Sequence, residues 1–325
     1  MVGRATIVPY FTPTGARISY IERGRRIVVV SDGDAVPQVG AFLLGAPKAG
    51  TTWLAGALEQ HPEICVSEPK EPNEVATHKG TFGRDSGSPD WERYASCFKG
   101  AGLRVDCSVH ALACPEAPSR IKQWWPEARF IVCLREPFGR TISHWNMVLD
   151  TEEDRRNMSD WSDFEKAWSD ERLRLDTLYG KSMERWFELF SPEQFLIIDS
   201  SLMRSQPAEV LVDIERHLNL ESHAFDLEAI SNSNKASDRR PLTIFGVVFK
   251  AVASLIPSFI KGGVVRSLQN RDVNIYSWPI LSGKRKDRKL PEDGQTVGMR
   301  EEIVQDLQLL EEVTGFRVES WMIKQ

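Results

Sequence analysis

Cysteine is scarce in this chain of 325 residues, and its spacing argues against two classes of protein. The five cysteines are an odd number, and no two of them form a CxxC pair. This pattern disfavours a disulfide scaffold and a cysteine-based zinc site. The histidines add no recognisable metal-ligand spacing. We therefore expect reduced thiols, a cytoplasmic setting and no structural metal.

An excess of positive charge is lacking as well. The chain has 41 lysines and arginines against 46 acidic residues, a formal net charge of −5. A broad basic field would be needed for nucleic acid or an anionic membrane as the main partner. We expect no nucleic-acid partner, so any anion site must be local. Residues 1–15 also lack the apolar core of a signal peptide, in agreement with the cytoplasmic expectation.

Long apolar runs are absent except at residues 242–260. Lys250 and Pro257 interrupt this run and argue against a membrane span. One interpretation is an apolar helical insert, at about 241–262, that fills the core or covers a substrate. The other is an interfacial helix that makes peripheral contact with a membrane. The sequence leaves both open.

Short apolar runs alternate with amphipathic helical patterns along most of the chain. The predicted strands are 41–44, 64–66, 103–105, 129–134 and 195–198, and one long helix is predicted over 173–190. This alternation predicts a three-layer α/β/α fold with a central parallel sheet and ligands at the carboxyl ends of its strands. Short β-like runs predict a small β appendage over residues 1–38, which leaves a single domain over residues 39–325.

The sequence GAPKAGTTWL, residues 45–54, connects the first of these strands to a helix. The amides at a helix N-terminus, here those of residues 49–52, lack partners inside the helix and face an anion together with the positive end of its dipole. Lys48 adds a full charge, and two threonines add hydroxyl donors. We expect a phosphate-binding strand-loop-helix with these candidate residues: Pro47, Lys48, Ala49, Gly50, Thr51, Thr52 and Trp53.

A second strand-to-helix junction has the sequence REPFGRTIS, residues 135–143. Pro137 stands where a helix can begin without losing a hydrogen bond. Arg135 ends the strand and Ser143 lies two helical turns further on, so both side chains could reach one phosphate. The junction is therefore a second candidate anion site.

These two motifs together resemble the sulfotransferases that use 3′-phosphoadenosine 5′-phosphosulfate (PAPS). The PKxGTT pattern is similar to their 5′-phosphosulfate loop, and the spacing of eight from Arg135 to Ser143 matches their 3′-phosphate site. The resemblance implies PAPS as sulfuryl donor, no metal, and as acceptor a hydroxyl, or less readily an amine, of a glycan, a lipid or a small molecule. It also implies that Lys48 neutralises charge on the departing phosphate.

The resemblance extends beyond the two motifs. HPEICVSEPKEP, residues 61–72, is similar to a segment of the glycan-type and bacterial enzymes, and residues 304–321 resemble their C-terminal helix and tryptophan. Asn73 and Glu74 depart from the aromatic residues usual after KEP, which affects the expected acceptor pocket and leaves the cofactor site unchanged.

The resemblance implies two alternative general bases. Glu71 matches the catalytic glutamate of the glycan-type enzymes, and a partly desolvated carboxylate there could accept a hydroxyl proton. His110 corresponds loosely to the catalytic histidine of the small-molecule enzymes. An ion pair with Lys70 is the structural alternative for Glu71, and a buried structural histidine is the alternative for His110.

A basic run, residues 283–289, offers Lys284 and Arg285 as further candidate cofactor-binding residues, although a solvated loop would explain it equally well. Two other functions stay open. A phosphate-loop kinase or nucleotidase would need a magnesium site and a lysine after the glycine, whereas Lys48 precedes Gly50. A non-catalytic, membrane-associated binding protein is suggested only by residues 242–260.

Overall fold

The computed structural model describes residues 20–22, 25–27, 36–234 and 288–322. The predicted helical insert at 241–262 and the candidates Lys284 and Arg285 lie outside the described residues. The strands are β1 (Tyr20–Glu22), β2 (Arg25–Ile27), β3 (Ala41–Gly45), β4 (Ile64–Val66), β5 (His78–Lys79), β6 (Gly83–Arg84), β7 (Leu103–Asp106), β8 (Arg129–Leu134) and β9 (Phe195–Asp199).

The helices cover about half of the described residues outside the strands. They are α1 (Thr51–Leu58), α2 (Trp91–Ser96), α3 (Ala117–Trp124), α4 (Pro137–Thr151), α5 (Glu153–Arg156), α6 (Phe164–Ser169), α7 (Glu171–Leu175), α8 (Tyr179–Phe187), α9 (Leu202–Ser205), α10 (Pro207–Leu218), α11 (Leu227–Asn234), α12 (Val297–Thr314) and α13 (Glu319–Met322). Among these residues, no helix is long and apolar enough to cross a membrane.

A parallel sheet forms the centre of the fold, with helices on both sides. Within the described residues its five strands have the order β4-β7-β3-β8-β9. The strand at the middle, β3, is buried along its whole length, as expected for a parallel strand covered on both faces. The predicted three-layer fold and its five strands are confirmed. Strand order reverses around β3, so the carboxyl ends of β3 and β8 form the place where ligands bind in such sheets.

The predicted single helix over 173–190 is wrong. The structure has two helices, α7 and α8, separated by Asp176, Thr177 and Leu178. Asp176 and Thr177 are buried and interact with other polar side chains in the interior. The sequence did not predict this break, because the spacing of apolar residues does not distinguish a buried polar turn from a further turn of helix.

The last long helix, α12, packs against α8 and fixes its beginning. The Asp306 carboxylate accepts hydrogen bonds from the amides of Gly180 (2.8 Å) and Lys181 (3.0 Å). A Cβ at Gly180 would lie 2.3 Å from the Asp306 carbonyl oxygen, so this close approach requires glycine. Helix α12 ends at Gly315, whose φ of 69° makes it the predicted C-cap glycine.

At the other end of the chain, β1 and β2 pair antiparallel. The division into an appendage over 1–38 and a single domain over 39–325 stays a prediction.

Candidate functional site

The loop between β3 and α1 leaves the beginning of α1 open. Gly50 is the N-cap residue, and no side chain among the described residues caps it. The first backbone bond of the helix runs from the Leu54 amide to the Gly50 carbonyl, at 3.2 Å. The amides of residues 50–53 therefore have no backbone partner in the described part of the chain, and they form an anion-binding end. The Ala49 amide was expected to join them, but it donates to the Ala46 carbonyl at 3.1 Å.

The backbone conformation at position 50 favours glycine. Its φ of 90° lies in the left-handed region, where a side chain is strained. A Cβ there would lie 2.8 Å from the Cε atom of Met203 on α9, the flexible end of a side chain that packs against the loop. The helix after β9 thus supports the loop from outside.

The other predicted loop residues fall into buried and accessible groups. Lys48 has a φ of 69°, and its Nζ lies 3.6 Å from the Met147 sulfur on α4. Its side chain therefore reaches from the first junction towards the helix of the second. Of the remaining loop residues, Pro47, Ala49 and Thr51 are buried, Trp53 is half-buried against the core, and Thr52 is exposed.

Arg135 lies directly beside this loop. Its Nη1 donates to the Lys48 carbonyl oxygen at 3.3 Å, and its own carbonyl accepts a hydrogen bond from the Tyr179 hydroxyl at 3.0 Å. Partial burial lowers the pKa of Arg135, and the positive charges of Arg204 and Arg288 lower it further. The charges of Arg204 and Arg288 thus act on Arg135 and add to a local positive field, which a bound anion would neutralise.

Arg204 and Arg288 were not predicted as site residues. Arg204 lies on α9, after the end of β9, where the same strand-end rule that selected Arg135 could have found it. Arg288 belongs to the predicted basic run 283–289. The next residue, Lys289, is held on α4 because its amide donates to the Asn146 side chain at 2.8 Å and its carbonyl accepts from it at 3.0 Å.

The first amides of α4 are occupied within the chain, so the predicted second anion site would depend on side chains. The Glu136 carboxylate caps the helix and accepts hydrogen bonds from the amides of Phe138 and Gly139, both at 2.7 Å. A Cβ at Gly139 would lie 3.6 Å from the Arg135 Nη2 atom. Ser143 is four residues further along and shares this helix face. The second junction thus offers side chains to a ligand, whereas its amides are occupied by its own carboxylate.

The segment that carries Glu71 is held against the end of β7. Ser67 donates to the Lys70 carbonyl at 2.8 Å and accepts from the Cys107 amide at 3.3 Å. The Lys70 ammonium lies 2.9 Å from Glu71 and 3.5 Å from the Thr51 hydroxyl on α1. Glu71 is therefore next to the phosphate-binding loop, and it forms the ion pair that was its structural alternative. About a third of its side chain is exposed, at 33%.

His110 is enclosed in the protein interior. Its Nδ1 lies 3.4 Å from the Asp176 carboxylate, and both side chains are buried. Burial alone would lower the pKa of His110, but the Asp176 carboxylate outweighs burial and raises it. In the same way, His110 outweighs the burial of Asp176 and holds the pKa of that carboxyl well below its usual range. The pair thus favours a protonated imidazole beside an ionised carboxylate.

The buried cluster contains a second histidine, His144, which the sequence analysis did not single out. His144 lies 3.6 Å from Asp176, contacts Arg140 at 3.1 Å, and bonds the Thr81 hydroxyl at 2.8 Å. Burial, with the Arg140 charge, lowers the pKa of His144 to about 3, so its ring is neutral. These residues are far apart in the sequence, and no short motif announces the cluster.

Comparison with known proteins finds a family match over more than half of the chain. Residues 40–237 match the family model described as "Sulfotransferase domain". The mouse heparan sulfate glucosamine 3-O-sulfotransferase 5 is 27% identical over 190 residues, which are 55% of this chain and 53% of that protein. The mouse bifunctional heparan sulfate N-deacetylase/N-sulfotransferase 4 is 28% identical over 208 residues, 58% of this chain and 23% of that protein. The chain thus spans about half or less of these relatives.

A solved structure shows the same fold. The sulfotransferase from Alicyclobacillus acidocaldarius superposes with a TM-score of 0.59, covering 88% of this chain and 100% of that one. The two sequences are 18% identical, so the likeness concerns the fold alone.

Proposed function

Because this chain belongs to the sulfotransferase domain family, a family of enzymes, we propose that it transfers a sulfuryl group from PAPS to a hydroxyl of a glycan-type acceptor. The observation that carries the proposal is the open N-terminus of α1 beside the arginine cluster, at the ends of two neighbouring strands. PAPS carries two separate anionic groups, which fit the two separate groups of N–H donors, the α1 amides and the arginines. The relatives named for heparan sulfate support a glycan as acceptor.

The loop and the arginines divide the donor between them. The amides of residues 50–53 and the Lys48 ammonium would hold the 5′-phosphosulfate, as helix N-termini hold phosphate groups. Arg135 and Ser143 would hold the 3′-phosphate, with Arg204 and Arg288 adding positive charge. When bound, PAPS supplies the sulfuryl group. Lys48 then neutralises the charge that develops on the departing phosphate.

Glu71 is the general base of this proposal. It is partly exposed and linked through Lys70 to the loop, so an acceptor hydroxyl can reach it. His110 is poorly suited, because its side chain is buried against Asp176, away from an acceptor hydroxyl in solvent. We infer that His110 helps to shape the interior and that Glu71 takes the proton from the acceptor.

The test is to measure turnover of Glu71→Gln and His110→Asn with saturating PAPS and heparan sulfate as the first acceptor. Glu71→Gln should lower kcat by about 10²–10⁴-fold, the usual contribution of a general base. Affinity for the product 3′-phosphoadenosine 5′-phosphate (PAP) should stay close to that of the wild type. His110→Asn should lose less kcat, after correction for any loss of folded protein.

Glu68→Gln is a matched control, since Glu68 lies on the same segment and makes an exposed ion pair with Lys99 at 2.9 Å. It should leave kcat unchanged. A larger loss of kcat in folded His110→Asn than in Glu71→Gln would assign the base to the histidine. An absence of sulfate transfer from PAPS to any hydroxyl acceptor would overturn the proposed function itself.

A cytoplasmic setting belongs to the same proposal. The five cysteines are all described by the structure, and all are buried and free. Free thiols are usual in a reducing compartment. Peripheral membrane contact through residues 242–260 stays a prediction.

A further inference from the structure

Three potential metal ligands meet at the edge of a surface cleft. They are His78 on β5, Cys114, and Glu116 just before α3. One ligand atom from each residue lies within 4.8 Å of the other two. The cleft has a volume of about 410 Å³, and His78 and Glu116 form part of its wall. The cluster is separate from the phosphate-binding loop and the arginines.

The spacing of the sulfur and the carboxylate suits a tetrahedral metal. The Cys114 Sγ lies 3.5 Å from the Glu116 Oε2. With ordinary Zn–S and Zn–O bond lengths, two such ligands on one tetrahedral zinc ion lie about 3.5 Å apart. The observed distance therefore requires no rearrangement of these two side chains.

His78 provides the second, independent observation. The residue is 6% exposed and lines the cleft, and no hydrogen bond joins its ring to another residue that the structure describes. Its nitrogens are not among the fully buried atoms that lack a partner, so the cleft reaches them. The ring is therefore available to an ion that enters the cluster from the cleft.

Thr77 orients the other two ligands. Its hydroxyl donates to the Glu116 Oε2 at 2.7 Å and contacts the Cys114 sulfur at 3.2 Å. Hydrogen bonds from such neighbouring groups fix the direction of metal ligands in known sites. Charge is also balanced, because a thiolate and a carboxylate neutralise a divalent ion. Such a complex adds no positive charge beside Arg84 and Arg185, which lie nearby.

We propose that His78, Cys114 and Glu116 bind one zinc ion, with the fourth ligand, a water molecule or an oxygen of a bound molecule, coming from the cleft. Sulfur, nitrogen and oxygen ligands together favour zinc over magnesium or calcium. The site was invisible to the sequence because Cys114 and Glu116 are far from His78 along the chain, and the expectation of no structural metal rested on spacing alone.

The experiment is a zinc titration of the full chain after its metals are removed, in competition with a chromophoric chelator. Wild type should bind one zinc ion per chain. Loss of a group that only orients a metal ligand weakens metal binding by about 10–100-fold. Cys114→Ser and His78→Ala each remove a ligand itself, so each should weaken zinc binding by more than this. With cobalt in place of zinc, wild type should show a thiolate-to-cobalt absorption band that Cys114→Ser lacks.

Cys97→Ser is the matched control, because Cys97 is buried elsewhere and its sulfur donates to the Arg93 carbonyl at 3.4 Å. It should bind zinc like the wild type. Thermal midpoints without metal show which variants fold. If Cys114→Ser does not fold, the zinc affinity of His78→Ala is the test of the site. Zinc binding that is equally weak in wild type and His78→Ala, with no thiolate band, would overturn the site and leave a hydrogen-bonded Cys–Glu contact.

Discussion

The two strand-to-helix junctions at the centre of the sheet have the same order of elements, a strand, a loop and a helix, but different chemistry at the start of the helix. After β3, Gly50 leaves the first amides of α1 without a cap. After β8, Glu136 caps the amides of α4 with its own carboxylate. Under the proposed function, the first junction would therefore bind an anion through its backbone and Lys48, and the second through the side chains of Arg135 and Ser143. Neighbouring junctions of one sheet would then bind two phosphates by different means.

The difference follows from one residue at the start of each helix. A glycine has no side chain to occupy the helix N-terminus, whereas a glutamate completes it. Self-capping has a further consequence for Arg135, because Glu136 also brings a negative charge close to it. Under the proposed function, the second junction would therefore attract a phosphate through its arginine side chains and not through its amides. The following predictions test this contrast.

Among changes at the two junctions, loss of the lysine at the first should have the largest effect. Lys48→Ala should lower kcat by about 10²–10³-fold, the usual cost of removing one donor to a developing negative charge. PAP affinity should fall less than kcat, since the free amides remain. The measurement is sulfate transfer at saturating PAPS, with the thermal midpoint as a check on folding. Wild-type kcat in a folded Lys48→Ala protein would contradict the assigned role.

At the second junction, side chains should carry the binding energy. Arg135→Ala and Ser143→Ala should each weaken PAP binding by about 1.5–3 kcal/mol, the usual contribution of a hydrogen bond to a charged group. The loss should be much smaller for adenosine 5′-phosphate, which has no 3′-phosphate. Calorimetry with both ligands makes the comparison. Equal losses for the two ligands would place Arg135 and Ser143 elsewhere on the donor.

The inner face of α4 should respond to pH through His144. Its folded pKa is about 3, below the unfolded value of about 6.5. The neutral ring therefore contributes fully above about pH 6.5, and its contribution is lost as pH falls towards 3. His144→Asn should flatten the dependence of the unfolding free energy on pH by up to about 1.4 kcal/mol per pH unit in that range.

Urea denaturation at several pH values, between 6.5 and 4, measures this slope for both proteins. His110 titrates in the opposite direction, because its folded pKa is raised, and Asp176 has a lowered pKa. The comparison of His144→Asn with wild type leaves both groups in place. An identical slope in the two proteins would show that folding does not lower the pKa of His144.

The smallest effect is expected from the cap itself. Glu136→Ala should lower the unfolding free energy by about 1 kcal/mol, the usual cost of losing an N-cap. PAP affinity should stay equal or rise, since the change frees the amides of Phe138 and Gly139 and removes a negative charge. Chemical denaturation and calorimetry measure the two quantities. A loss of PAP affinity similar to that of Arg135→Ala would mean that Glu136 positions the arginine.

Much of the fold could be predicted because it depends on local patterns. The five strands of the sheet and the Gly315 cap follow from apolar runs and from residues with specific backbone preferences. The loop with Lys48 was recognisable for the same reason. The capped beginning of α4 was not predicted, because Pro137 signals a helix start equally well with or without a carboxylate bound to it.

The remaining features depend on contacts between distant parts of the chain. Asp176 interrupts a predicted helix because it faces His110, and neither position is marked by periodicity. Arg204 and Arg288 approach Arg135 from two different segments. Local sequence patterns carry no information on interactions between residues so far apart in the chain, which only the folded structure brings together.

The most direct test of the two-junction account is the ligand preference of the wild-type protein. Calorimetry should compare PAP, adenosine 5′-phosphate, and ATP with magnesium under the same conditions. We predict that PAP binds most tightly, because it alone presents one phosphate to the α1 loop and another to the arginines. Equal affinity for PAP and adenosine 5′-phosphate, or tighter binding of ATP with magnesium, would contradict the account.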